Sequence, residues 1–335
     1  MERSNKEMKV QTMMSSATLS SPQLRVAVVG AGLMGADHVL RLGTKIVGAR
    51  VSAIVEPDQG RANAALSLAP GAAWFETIEE AISADAMDAV LIATPGQFHE
   101  PVIMPALDAG IPILCEKPLA HDSSSALRIV EAEMATGKKL IQVGFMRRFD
   151  AEYMALREVI KTAPMGDLLG LHCRHRNASV PDTYFNEMLI FDSVVHEIDI
   201  VRYLANSPIA SVEVKQFKPN GKSPAGLSEP IMVILQTESG VLVDVEMNVS
   251  IGFGYQVKTE AIFETGLAEI GNTSGLVATF EGAARRNEHL TFKTRFDSAY
   301  DSQVQRWVNA AIEGAIDGPS AWDGYLAAAA VEAGL

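Results

Sequence analysis

Leu24-Arg25-Val26-Ala27-Val28-Val29-Gly30-Ala31-Gly32-Leu33-Met34-Gly35 is the stretch that decides the fold of this 335-residue chain. An apolar run of strand length ends in Gly-x-Gly-x-x-Gly, and a helical pattern begins inside that turn. Gly30 permits the tight turn, Gly32 lets a pyrophosphate approach the backbone, and Gly35 lets helix and strand pack closely. The helix start then offers N–H groups and a positive dipole end to phosphates. A glycine pattern alone is weak, but the strand before it and the helix after it point to a dinucleotide-binding βαβ unit.

The surrounding sequence agrees. Apolar runs at 24–29, 51–55, 89–93, 111–115 and 139–143 read as buried strands. Amphipathic runs at 34–42, 59–68, 78–83, 101–109 and 123–136 read as the helices between them. This alternation predicts an α/β Rossmann domain with a parallel sheet over residues 23–145. After Gly144 the texture changes to helices near 152–161 and 192–199 and strands at 168–176, 211–217, 231–237, 241–250, 256–263 and 267–270. Turn chemistry such as Glu238-Ser239-Gly240 favours antiparallel pairing. The expectation for 146–318 is therefore an α+β domain with a large open, mainly antiparallel sheet, closed by a helix over 301–316. Residues 319–335 are Ala-rich and expected to form a helix packing back on the Rossmann domain. Residues 1–22, polar with Met and Ser and no apolar core, read as a flexible tail rather than a secretory signal.

Composition narrows the function. A net charge of −13 disfavours nucleic acid as a partner and leaves a neutral small molecule open. No run is long and apolar enough to suggest a membrane span. Two cysteines, Cys115 and Cys173, make no disulfide framework, which fits a reducing cytoplasm.

Residues at the strand ends supply the candidate site. Glu56, ending the second strand, would accept hydrogen bonds from an adenosine ribose and repel a 2′-phosphate, favouring NAD over NADP, although Arg61 nearby could soften that exclusion. Leu33 and Met34 open the helix beside the phosphates. Thr94, Pro95 and His99 leave the fourth strand, and Glu116 and Lys117 leave the fifth, at the sheet edge where ligands sit. His99 has no orienting partner near in sequence, so capping or packing suits it better than a base; it is counted on the cofactor side. Lys117 could stabilise negative charge developing on an oxygen. Asp192 and His196, four apart in a helical run, would share a face, where the carboxylate could orient an imidazole base. His172, Cys173 and His175 do not make a metal site, because a strand turns His172 away from the other two.

These residues resemble the Gfo/Idh/MocA family of glucose–fructose oxidoreductase and inositol dehydrogenase. The resemblance rests on Glu116-Lys117-Pro118 and the Asp192–Asp199 segment, and is narrowed by Met146-Arg147-Arg148, His175-Arg176-Asn177, Gly254-Tyr255 and Trp322-Asp323-Gly324-Tyr325. It implies NAD-dependent oxidation of a cyclitol hydroxyl, with myo-inositol first and scyllo-inositol or an aldose as alternatives. His196 would take the hydroxyl proton, Asp192 would orient His196, and Lys117 would hydrogen-bond the reacting oxygen. Arg147, His175, Asn177 and Tyr255 would hold other hydroxyls, with Met146 as an apolar wall. A homotetramer through the open sheet is also implied. Two other readings stand beside this one: a phosphorylated sugar held by Arg147-Arg148, and a non-catalytic NAD-binding regulatory protein.

Overall fold

Near-continuous apolar strands cannot face water on either side, so they demand helices on both faces of their sheet. The computed structural model describes residues 23–272 and 277–335; the expected tail at 1–22 lies outside them. Its first half runs β1 (Leu24–Val29), α1 (Leu33–Thr44), β2 (Ala49–Val55), α2 (Gln59–Leu68), β3 (Ala73–Phe75), α3 (Ile78–Ser83) and β4 (Ala89–Ile92). It continues through α4 (His99–Asp108), β5 (Ile113–Cys115), α5 (Ser123–Thr136) and β6 (Ile141–Val143). The sheet order is β3-β2-β1-β4-β5-β6, all parallel, with the switch point between β1 and β4. That is the doubly wound dinucleotide-binding topology. β3 escaped the sequence reading because its apolar run is very short and two of its three residues are exposed.

The second half contains α6 (Ala151–Thr162), β7 (Leu168–Arg176), a π-helical turn over Leu189–Val194, α7 (Val195–Ala205), β8 (Ile209–Gln216), β9 (Ile231–Thr237) and β10 (Leu242–Asn248). β11 (Gln256–Phe263), β12 (Leu267–Ile270) and a small hairpin of β13 (Ala278–Phe280) and β14 (Ala283–Arg285) follow. The large sheet has the order β12-β11-β7-β10-β9-β8. Every pairing is antiparallel except β7 with β10. One face packs on α6 and α7. The other presents His172, Arg174 and Arg176 of β7 opposite Asp244 and Glu246 of β10, all half-buried or less.

Two terminal helices join the halves. α8 (Phe292–Ile312) starts earlier than the helix expected over 301–316, and it does not close the second domain. Val304, Trp307, Val308 and Ala311 instead pack against Val26, Val28, Ile54, Leu91 and Leu114 of the first sheet. Periodicity reveals an apolar face but not which surface will cover it. α9 (Ala321–Gly334) starts with a capping box between Ser320 and Asp323 and touches α5 and β6 on one side, α7 and β8 on the other. No helix among the described residues is long and apolar enough to cross a membrane.

Candidate functional site

The β1–α1 turn has the backbone its glycines require. Gly30 has φ +87°, and a Cβ on Gly35 would sit 1.8 Å from the Gly30 carbonyl oxygen. A Cβ on Gly32 would meet nothing within 4 Å, so the backbone there lies open. No side chain caps the start of α1, which leaves its first N–H groups for a ligand. These features fit a dinucleotide pyrophosphate.

Two adjoining cavities meet above this turn. The larger, about 510 Å³, is lined by Gly30, Gly32, Glu56, Arg61, Thr94 and Pro95. Glu56 is almost fully buried. Its carboxylate accepts from the Ala31 N–H at 2.8 Å, the Asp58 N–H at 3.0 Å and Arg61 Nη2 at 2.8 Å. Burial would raise its pKa, but Arg61 and the backbone donors outweigh burial and hold it below the usual carboxylate value. Ala93 and Thr94 line both cavities, and the buried Thr94 Oγ1 has no hydrogen-bond partner.

The smaller cavity, about 300 Å³, is lined by Lys117, Met146, His175, Asn177, Asp192 and His196. Leu33, Met34 and Glu116 reach it from the Rossmann side, and Tyr255 from the other. Residues distant in sequence therefore converge because β5 ends where β7, the π-helical turn and α7 meet it. Lys117 Nζ donates to Asp192 Oδ1 at 2.8 Å and to the Asp192 carbonyl at 3.0 Å. Burial would raise the pKa of Asp192, yet the Lys117 charge prevails and lowers it. His196 is buried, and its Nδ1 has no partner. Burial first, then the positive charges of Lys117 and Arg147, push His196 well below its ordinary pKa, so the ring is neutral and able to accept a proton. Asn177 Oδ1 is likewise buried and unpartnered.

Four expectations change. Asp192 lines the same cleft as His196 but hydrogen-bonds Lys117, because an ammonium holds a carboxylate more strongly than a neutral imidazole does. Arg147 does not line the cleft. It is buried behind it, paired with Glu197 Oε1, while its Nη2 lies 3.2 Å from His175 Nδ1. Arg148 is held by Asp199 at 2.6 Å and Asp323 at 3.0 Å, so carboxylates occupy both arginines of the doublet and neither is free for a substrate phosphate. His99 is fully buried and lines neither cavity. Its Nδ1 lies 2.7 Å from the Pro118 carbonyl and its Nε2 2.7 Å from that of Thr94.

The sequence reading missed Glu197 and His38. Glu197 Oε2 lies 3.1 Å from His175 Nδ1, and Arg147 and His175 hold its pKa at about 2 despite burial. The signal existed: Glu197 and Asp199 interrupt an apolar helix, and buried charges require partners. His38, on α1, lies 2.8 Å from Glu116 Oε1, and both are buried. Nothing local marks that pair. His172 sits on the outer sheet face against Asp244 while Cys173 and His175 point inward, so these three share no site. Among the described residues no cluster of His, Cys, Asp and Glu could hold a metal ion.

Residues 24–145 match the family model for the oxidoreductase family with an NAD-binding Rossmann fold (GFO/IDH/MocA), and residues 153–269 match the GFO/IDH/MocA C-terminal domain. The chain is 58% identical over 316 residues to an inositol 2-dehydrogenase of Corynebacterium glutamicum (strain R), covering 94% of each. It is 56% identical over 317 residues to an inositol 2-dehydrogenase of Leifsonia xyli subsp. xyli, covering 94% of this chain and 93% of the relative. Its fold matches the crystal structure of myo-inositol dehydrogenase from Lactobacillus casei, in complex with NAD(H) and myo-inositol. The TM-score is 0.91, with 34% identity and 93% of each chain covered.

Proposed function

The chain belongs to the GFO/IDH/MocA oxidoreductase family, and from that premise we propose that it is an inositol 2-dehydrogenase that oxidises myo-inositol to its 2-keto form with NAD. One observation carries the reading. Lys117, a neutral His196 and an unpartnered Asn177 face a single cleft that adjoins the cavity above the glycine turn. Bound NAD supplies the hydride acceptor that no side chain can. His196 takes the hydroxyl proton, while Lys117, positioned by Asp192, donates a hydrogen bond to the same oxygen. His175, Asn177 and Tyr255 bind the other ring hydroxyls, with Met146 as the apolar wall.

On the cofactor side Gly30–Gly35, Thr94 and Pro95 hold the pyrophosphate and its neighbourhood. Glu56 favours NAD over NADP, because a 2′-phosphate would meet a buried anion. Arg61 already pairs with that anion, which weakens its attraction for a phosphate. The free, buried thiols of Cys115 and Cys173 agree with a reducing cytoplasm. The uncovered face of the second sheet, where Leu242 and Ile234 sit among charged residues, is the surface through which four copies associate. Mass measurement in solution checks that assembly.

The deciding experiment is initial-rate turnover of a panel of myo-inositol, scyllo-inositol, glucose and xylose with NAD and with NADP. The expected result is the highest kcat/KM for myo-inositol with NAD. Turnover of aldoses without inositols would overturn the substrate, and no turnover of any polyol would favour a non-catalytic NAD-binding protein.

A further inference from the structure

Glu116 follows β5 directly and lines the smaller cavity from the Rossmann side, next to Lys117. It is buried, with only 7% of its surface exposed. Its Oε1 lies 2.8 Å from His38 Nε2, and its Oε2 accepts from the Lys117 N–H at 3.3 Å. A carboxylate only accepts, so the His38 proton sits on Nε2. His38 is fully buried and its Nδ1 has no partner, so a second ring proton there would be stranded without an acceptor. His38 therefore fixes Glu116 without neutralising it. Elsewhere in the cavity Lys117 and Asp192 compensate one another, in contact at 2.8 Å. Tyr300 also lines the cavity, and burial, then the Glu116 charge, hold its hydroxyl well above the ordinary pKa and so uncharged. Among the described residues, no lysine or arginine side chain pairs with Glu116.

A hydride acceptor must stand within reach of the carbon whose hydroxyl His196 serves, so the nicotinamide end of NAD belongs in the same cavity. Its ring is cationic when oxidised. It is neutral once a hydride, with its electron pair, has arrived from the substrate carbon, while the hydroxyl proton passes to His196. We propose that Glu116 is a specificity-determining residue for the redox state of the cofactor: its carboxylate favours the cationic ring of NAD over the neutral ring of NADH. A buried anion without a counter-ion acts through a weakly screening medium, and a unit charge within about 6 Å is then worth on the order of tenfold or more in affinity. The consequence is directional. NAD is held for reaction, and NADH is released more readily once the ring charge is gone. The proposal rests on the reading that NAD is the cofactor and that its ring enters the Lys117–His196 cleft.

Binding, rather than turnover, reads this charge. Dissociation constants for NAD and NADH are measured by calorimetry on the unaltered enzyme and on Glu116→Gln, which keeps the size and an acceptor for His38. The ratio Kd(NADH)/Kd(NAD) should fall about tenfold in the variant. A purely structural loss would weaken both forms alike and leave the ratio in place. A fall of less than about threefold, or a rise, overturns the proposal. If the variant does not fold, the unaltered enzyme decides with benzamide adenine dinucleotide, which has the shape of NAD but no ring charge. It should bind about tenfold more weakly than NAD, and binding within about threefold of NAD overturns the proposal. Failure of the unaltered enzyme to bind either NAD or NADH would remove the cofactor reading itself, whereas binding of both with an unmoved ratio removes only the role of Glu116.

Discussion

The glycine turn at Gly30–Gly35 and the polar wall around His196 serve one cleft but are built in opposite ways. The turn is local: six consecutive residues, their backbone angles and the helix they open carry its whole chemistry. The wall is assembled from β5, β7, the π-helical turn and α7, with buried charges behind it. Arg147 pairs with Glu197 and Arg148 with Asp199, so an arginine doublet on one segment meets alternating acids on a helix. A local device can be read from spacing, whereas a distributed one depends on partners that spacing does not reveal.

The largest expected effect tests the wall. His196→Ala should lower kcat by about 10²–10⁴-fold while NAD affinity, read by fluorescence titration, stays within about twofold. A weakened NAD affinity with near-normal kcat would reverse the division of labour between turn and wall.

Glu197→Gln tests what stands behind the wall. Breaking a buried pair leaves Arg147 with an uncompensated charge, so urea unfolding should show a loss of about 3–5 kcal/mol. The pH dependence follows from the same residue. Its folded pKa of about 2 lies below the ordinary 4.5, so its contribution is present above pH 4.5 and lost as pH falls from there toward 2. Stability of the variant should therefore depend less on pH across that interval than stability of the unaltered protein.

Gly32→Ala tests the turn. Open space around the added methyl predicts a stability change below about 1 kcal/mol, mostly from the poorer helix cap, while KM for NAD rises about tenfold. A large loss of stability with unchanged KM would mean that Gly32 serves packing instead. The smallest effect is a shift in a titration curve. His196 must be unprotonated to act, and its folded pKa lies below the ordinary 6.5, so the acidic limb of kcat/KM should fall below pH 6.5. A limb above 6.5 would mean that another group acts as the base.

Much was legible before folding because the information was periodic or local. β1, α2, α3, α5, β7, β9, β11 and β12 begin and end where their apolar patterns do. β3 and the β13–β14 hairpin are too short for a period to show, and the destination of α8 lay outside any pattern. In the site, Lys117, His175, Asn177, Asp192, His196 and Tyr255 reach the expected cleft. Arg147 and His99 lie behind it, because a residue type announces what chemistry it can do but not which way the fold turns it.

The sequence by itself determined the Rossmann half and the glycine turn, since short-range sterics and hydrophobic period act along the chain, while Met146, His175, Asn177 and Tyr255 were named only through the family resemblance of their segments. Only the tertiary structure decided that Asp192 serves Lys117 rather than His196, that Glu197 neutralises Arg147, and that His99 is buried away from the cleft. Those outcomes are contests among charges and donors brought together from distant segments, and in a buried setting the strongest available partner prevails.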